Sequence, residues 1–479
     1  MFQTEKWLFR EEHRSIFYVI ENQRINILKI IFKRPENYYM KKITILILIT
    51  LIAFSGKSNA DTIGTPVKVF AAKQTLATLA IPRWKGFMSP SDPDYLRFSF
   101  ANWGTPATHM VYSNDGGATW NSANALLSGE LTVDYHISAA GDNSGNFYAT
   151  MPITNSIGFR KVNFPAQQSS DMDPLRTVIT VGGSNPRSNV MIQPNNQRIW
   201  VFTRASTIPS ENVRYHYSDN GGQSWTSGIA DATHADEVRI GSMPYINGNP
   251  ALVVAYMSST PPQGYKYYMW NGSQFVAEDD AVIYSGPLGL MRAFTHNVTD
   301  GTRMHLVFGL DTELHHYWKE YNNGQGTWNS QIIDTSPYNT GSIDWETSSC
   351  VRGSDFFVFY SKNTNSSATS SEIYYNKWSG ATQSWATPQV ISTHPENTDN
   401  HHPNSAMQVP VTSDYIPVWW YSHLGSSNEQ IYFNKIVVDS TVQSVSRGEI
   451  DRKIKDFKEG TASEQEVLDL INMYNSQNP

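Results

Sequence analysis

Tyr112-Ser-Asn-Asp115-Gly-Gly-Ala-Thr-Trp120 returns 105 residues later as Tyr217-Ser-Asp-Asn-Gly221-Gly-Gln-Ser-Trp225. Looser versions follow: Trp270-Asn-Gly272-Ser-Gln-Phe275, Asn323-Gly324-Gln-Gly-Thr-Trp328 and Lys377-Trp-Ser-Gly380-Ala-Thr-Gln-Ser-Trp385. The word is an aromatic strand, a polar glycine-rich turn and a tryptophan, and its recurrence at a near-fixed period marks an array of like units. A second apolar strand precedes each turn. Taking Phe98, Tyr148, Val201, Val254, Val307, Val358 and Trp419 as equivalent points gives gaps of 50, 53, 53, 53, 51 and 61, hence seven units.

Each unit reads as four strands: an inner one such as 188–193, the apolar one, an aromatic one such as 213–218, and a last one after the tryptophan. Four short strands per period, with glycine and aromatic residues at fixed places, describe a blade of a β-propeller. A solenoid of the same period would need helices, and no apolar 3.6-residue rhythm appears between residues 61 and 440. The expectation is an all-β chain, a seven-bladed β-propeller over 61–440, closed by pairing of the strand near Val67 to Phe70 with the last blade.

The ends differ from this body. Met40-Lys41-Lys42, an apolar run from Ile43 to Phe54 and then Ser58-Asn59-Ala60 have the layout of a secretory signal peptide, with cleavage expected before Asp61. The run is short of the roughly 20 residues that span a bilayer. Residues 1–39 carry no fold signal and read as a mis-assigned upstream segment, with Met40 the start. Residues 445–479 hold twelve charged residues and an apolar rhythm of Ile450, Ile454 and Phe457, then Val467, Leu468, Ile471 and Tyr474. With Ser446 and Glu449, Thr461 and Glu464 at capping-box spacing and Gly460 between them, they predict a helical hairpin that packs on the propeller or docks a partner.

Without residues 1–60 the chain keeps 26 Lys or Arg and 38 Asp or Glu, a net charge of −12. That balance disfavours nucleic acid and anionic membrane surfaces as partners. The expected product is a secreted or periplasmic monomer. Cys350 is the only cysteine, so no intramolecular disulfide is possible, and it reads as a buried filler on the sixth inner strand.

The turn word resembles the Asp-box (BNR) repeat of sialidases and related carbohydrate-active propellers. Ser113-x-Asp115-x-Gly117-x-Thr-Trp120 matches the pattern fully, and Ser218-x-Asn220-x-Gly222-x-Ser-Trp225 departs only in Asn for Asp. The resemblance implies a structural fastener on the outer turns, its carboxylate on backbone amides and its tryptophan between sheets. Function is then sought where inner strands begin and second strands end, since those loops open on one face around the axis. Asp134, Tyr135, His136, Arg187, Arg204, Arg239, Arg292, His296, Asp344, Glu346, His401, His402, Asn404 and His423 all fall there. Charges seldom occupy the wall of a packed ring unless they pair or meet a ligand.

Four arginines at one mouth suit a planar anion such as a carboxylate or sulfate, held bidentately; structural pairs with Asp134, Asp344 or Glu346 are the alternative. Tandem His401-His402 would suggest metal, but neighbours on a strand face opposite ways and would not share an ion. His315-His316, expected on an outer strand, fall under the same argument.

A sialidase-type site would have an arginine in a Phe/Tyr-Arg-Ile-Pro strand, and Leu79-Ala80-Ile81-Pro82 has alanine there. Asp134-Tyr-His136-Ile-Ser-Ala and Asp399-Asn-His-His402-Pro-Asn-Ser-Ala resemble stretches of propeller-type ulvan lyases, exported bacterial enzymes that cleave sulfated, uronate-containing polysaccharide by β-elimination. That family's second histidine, about twenty residues after the first, has no counterpart at Pro152 to Ser156. The resemblance implies an anionic polysaccharide substrate, with His136 as base, Tyr245 as proton donor, Arg204, Arg239, Arg292 and Arg187 for carboxylate or sulfate, and His402 in support. The chemistry requires no cofactor and no catalytic metal. A hydrolase of acidic sugars and a carbohydrate-binding propeller without chemistry stay open as alternatives.

Overall fold

The computed structural model describes residues 61–438 except 73–75, 78–85, 103–106, 129–136, 154, 164–171, 181–186, 194–195, 205–211, 233–236, 247–248, 258–262, 285–290, 295–297, 300–302, 311, 321–326, 340–345, 367–369, 394–398 and 424–428. The expected signal peptide at 40–60, the segment 1–39 and the hairpin at 445–479 lie outside the described residues.

Seven antiparallel sheets follow one another along the chain, blades I to VII. Blade I spans 76–128, blade II 138–180, blade III 187–231, blade IV 237–284, blade V 291–335, blade VI 347–390 and blade VII 399–437. Each has four strand positions, and where five strands occur one position is interrupted, as in the first position of blade I, split into Leu76–Ala77 and Gly86–Met88. Blade VII is completed from the other end of the domain. Thr62–Ile63 and Val67–Ala72 both pair with Glu429–Val437, with Thr62 opposite Val437 and Val67 opposite Phe433. This closure is the one the sequence predicts.

The first strands of the blades form the inner wall. Neighbouring ones run parallel, with bridges Val351 to Gln408 and Gly86 to Ala406, so all begin on one face of the ring. Side chains bind the seams: Val190 N donates to Ser138 Oγ (3.1 Å), and Gly86 N to Asn404 Oδ1 (3.2 Å) across the closure between blades I and VII. The second strands carry the core, and six of the seven equivalent points (Phe98, Val201, Val254, Val307, Val358, Trp419) are at most 1% exposed. Burial of such aliphatic and aromatic side chains is the main stabilising term, roughly 1.5–3 kcal/mol for each Val, Leu, Ile or Phe.

The glycine-rich turns of blades I, III and VI tie their sheets to the one before. Asp115 accepts Thr119 N (2.9 Å) and Thr119 Oγ1 (2.6 Å), and Ser113 Oγ accepts Gly117 N (2.7 Å). In blade III Asn220 keeps the acceptor role toward Ser224 N (3.0 Å) and its amide donates to Ser224 Oγ (2.8 Å), which explains why Asn can replace Asp. The tryptophans then reach backward. Trp120 meets Phe433 of blade VII edge-on at 5.1 Å, Trp225 meets Phe159 of blade II at 5.2 Å, and Trp385 meets His316 of blade V at 5.1 Å. The second glycine of the word is needed for this approach. Gly117 and Gly222 have φ of +88° and +83°, and a Cβ there would lie 2.1 Å from Phe433 and 2.3 Å from Phe159.

Candidate functional site

The face on which the inner strands begin is also where the second strands end. Register places Arg187 opposite Arg204 in blade III, Thr347 opposite Tyr360 in blade VI, and Asp399 opposite His423 in blade VII. Arg239 lies two residues into the inner strand of blade IV and Arg292 one residue into that of blade V. Their strands bring all four arginines toward one mouth of the ring. Arg204 is buried in the wall, 8% exposed. For Arg187, Arg239, Arg292 and Tyr245 the backbone position is described; Tyr245, the expected proton donor, is eight residues along an extended strand from Glu237 and so lies at the opposite end from the arginines, which corrects that expectation. Asp134, Tyr135, His136, His296 and Asp344 lie outside the described residues.

Blades VI and VII hold the best-defined chemistry at this mouth. Glu346, buried just before the strand Thr347–Arg352, is fixed through its backbone: its carbonyl accepts Ser361 N (2.9 Å) and its N–H donates to Ser361 Oγ (3.3 Å). Its carboxylate crosses to blade VII. Oε2 accepts the backbone N–H of His402 (2.7 Å), Oε1 lies 2.9 Å from His402 Nδ1, and His401 Nδ1 is 3.4 Å from Oε2. The other ring nitrogen of His401, Nε2, sits 2.8 Å from Asp399 Oδ1, which also accepts Ser371 Oγ (2.8 Å).

That both imidazoles reach one carboxylate corrects the expectation that neighbouring strand residues face apart. The ladder between Asp399–Ser405 and Tyr415–His423 shifts register between His401 and Asn404, and His402 has a φ of +51°. One extra residue in a β-bulge re-aims the side chain that follows, and a non-glycine residue at positive φ is held there only by its surroundings. Here the Glu346 carboxylate, bonded to both the N–H and the ring of His402, does the holding. The sequence signal was Pro403, which supplies no N–H and so marks a break in the ladder.

The charges in this cluster follow from its contacts. Burial alone would raise the pKa of Glu346, but the field of His402 and hydrogen bonds from both histidines reverse this and hold the carboxyl well below the usual carboxylate range. Burial opposes a charge on His401, yet its hydrogen bonds to Asp399 and Glu346, with the fields of both carboxylates, push it up to about 10. His401 is therefore an imidazolium at neutral pH, donating from both nitrogens. Asp399 is held low despite burial by the hydrogen bond and charge of His401, with Ser371 and His423 adding to the effect. The His402 ring lies 6.1 Å from that of Tyr421. Among the described residues no group of three or more His, Cys, Asp or Glu side chains is placed to hold a metal ion.

Other titratable positions are structural. His316 is fully buried, its Nε2 3.1 Å from His305 Nδ1, between Phe356, Trp378 and Trp385, and burial holds it neutral. His315 pairs with Glu313 at 2.9 Å. Cys350 is buried on its inner strand, as expected, and burial pushes its thiol up to about 12. At the opposite end of the inner strands a cavity is bordered by Met88, Gly141, Ile192 and Gln408. Its one acid, Asp142, is saturated by Ser144 N, Asn146 and Tyr148 Oη.

No family model matches this chain, and no curated protein is similar to it in sequence. Among solved structures it is similar to the Aleuria aurantia lectin, a six-bladed propeller, at 13% identity over 68% of this chain and 99% of that one, with a TM-score of 0.43. It is similar to the phage phi92 endosialidase at 13% identity over 80% of this chain and 70% of that one (TM-score 0.44). The BP39L lectin from Burkholderia pseudomallei aligns at 12% identity over 64% of this chain and 83% of that one (TM-score 0.45). At these scores the likeness carries no argument about what this chain does, and the seven-bladed assignment rests on its own sheets.

Proposed function

We propose that this protein is an exported carbohydrate-active propeller that cleaves an acidic, uronate-containing polysaccharide, ulvan-like in character, by β-elimination at the mouth where the inner strands begin. The observation that carries the reading is the buried carboxylate of Glu346 gripping His401 and His402 at the mouth that the arginine-bearing strands also face. Elimination needs three things: a cation on the uronate carboxylate, a base for the proton at C5, and a proton for the departing oxygen on C4. The arginines at 187, 204, 239 and 292 supply the first by bidentate pairing. An imidazole supplies the base near neutral pH, His136 by its sequence position or His402 by its place against Glu346, and solvent water supplies the proton, since Tyr245 lies at the other end of its strand. The C5–H electron pair becomes the new C4–C5 double bond, the C4–O bond breaks, and its oxygen leaves protonated.

A panel of acidic polysaccharides, ulvan first, tests this. Elimination produces a double bond conjugated with the uronate carboxylate and a growing ultraviolet absorbance, whereas hydrolysis releases reducing ends without it. Cutting without the chromophore would move the reading to a glycoside hydrolase, and binding without cutting to a carbohydrate-binding propeller. Arg204→Ala should weaken binding of acidic oligosaccharide about tenfold or more, since losing a charged hydrogen-bond partner typically costs roughly 1.5–3 kcal/mol.

A further inference from the structure

The geometry points to His402 Nε2 as the atom that accepts the substrate proton, with Glu346 as the residue that positions it; the identity of that proton rests on the elimination reading above. Three observations lead there. First, His402 Nδ1 faces Glu346 Oε1 at 2.9 Å, and an ionised carboxylate only accepts, so Nδ1 must carry a proton. With Nδ1 protonated, the neutral ring has its lone pair on Nε2, and among the described residues Nε2 has no partner. Second, the backbone fixes the ring. The His402 N–H donates to the other oxygen of the same carboxylate, and the φ of +51° at the bulge turns the side chain out of the strand's ordinary alternation. Third, His401 is occupied at both nitrogens by Glu346 and Asp399, so it has no lone pair to offer.

The groups facing His402 are Glu346 from blade VI, and His401 and Tyr421 from its own sheet, with Asp399 acting through His401 and His423 through Asp399. In the step itself Nε2 takes the C5 proton, the C5–H electrons form the C4–C5 double bond, and the C4–O bond breaks with solvent water giving the leaving oxygen its proton. His402 becomes an imidazolium whose second N–H still points at Glu346. The same logic orients a histidine general base in hydrolases through the carboxylate on its far nitrogen.

Nitrogen NMR of the whole protein with labelled histidine tests the assignment without a substrate, the His402 signals being identified by their loss in His402→Gln. The expected result is a His402 whose neutral form is the Nδ1–H tautomer, opposite to the preference of free histidine, with that preference lost in Glu346→Gln and kept in Asp399→Asn, since Asp399 bonds to His401 and Ser371 and not to His402. A wild-type His402 in the Nε2–H tautomer would overturn the proposal, and this readout stands even where Glu346→Gln fails to fold. In turnover, His402→Gln should reduce chromophore formation about 100- to 10,000-fold, and Glu346→Gln should lower kcat and shift its pH profile with KM little changed. A His402→Gln variant of undiminished rate would overturn the catalytic assignment. A wild-type protein that shows the expected tautomer but forms no chromophore on any polymer would remove the elimination reading and leave His402 as a proton acceptor for another reaction.

Discussion

His401→Gln should cost stability near neutral pH and almost none in strong base. The wild-type ring is wedged between Glu346 and Asp399 and its pKa is pushed from 6.5 up to about 10. At ~1.4 kcal/mol per unit this is a differential of about 5 kcal/mol between the charged and neutral ring. The same contacts also hold Glu346 and Asp399 low, and His401 is a quarter exposed, so about half of it, ~2–3 kcal/mol, is a fair share for His401 alone. The folded protein holds a proton that the unfolded chain releases near pH 6.5. The stabilisation is therefore complete below about pH 6.5 and lost as pH climbs through about 10. Denaturant unfolding of wild type and variant from pH 6 to 10.5 reads this directly: a gap of about 2–3 kcal/mol at pH 6–7 should shrink to under about 1 kcal/mol by pH 10.5. Comparing the two proteins cancels the alkaline titration of tyrosines and lysines. A gap that stays constant or widens with pH would refute the argument.

Other outcomes follow from the same structure. Gly222→Ala should destabilise the propeller by about 2–4 kcal/mol, because it combines a left-handed φ with a Cβ clashing with the edge of the Phe159 ring, whereas Gly221→Ala, equally left-handed but in open space, should cost about 1–2 kcal/mol; thermal unfolding of the pair separates the two effects. The Cys350 thiol, buried and raised to about 12, should resist a water-soluble thiol reagent in the folded protein at pH 8 and react on denaturation. N-terminal sequencing of the secreted protein should begin at Asp61, which leaves Thr62–Ile63 and Val67–Ala72 free to close blade VII.

Much of the architecture was legible because the propeller writes its period into the chain. The repeat of Asp115 and Asn220 with their glycines and tryptophans exists because each such turn must satisfy its own amides and pack on the preceding sheet, and those demands recur from blade to blade. The count of seven and the closure by Val67 to Phe70 followed from spacing alone. The candidate site was legible only in part: strand starts put Glu346, His401 and His402 at one mouth, whereas Tyr245 falls at the opposite end and His136 lies outside the described residues. Its contacts were not. Strand alternation predicts that His401 and His402 diverge, and only the bulge ahead of Pro403 brings both onto Glu346, some 55 residues away in sequence. A carboxylate on one blade finding imidazoles on the next depends on blade-to-blade geometry that no local pattern encodes.

The ratio of two products counted in one reaction separates elimination from hydrolysis most directly. When the protein cuts a uronate-containing polysaccharide, each new chain end should be matched by one conjugated double bond, so chromophore and reducing ends should rise together in equal numbers. Reducing ends accumulating with no chromophore would contradict the account and make the same mouth the site of a hydrolase.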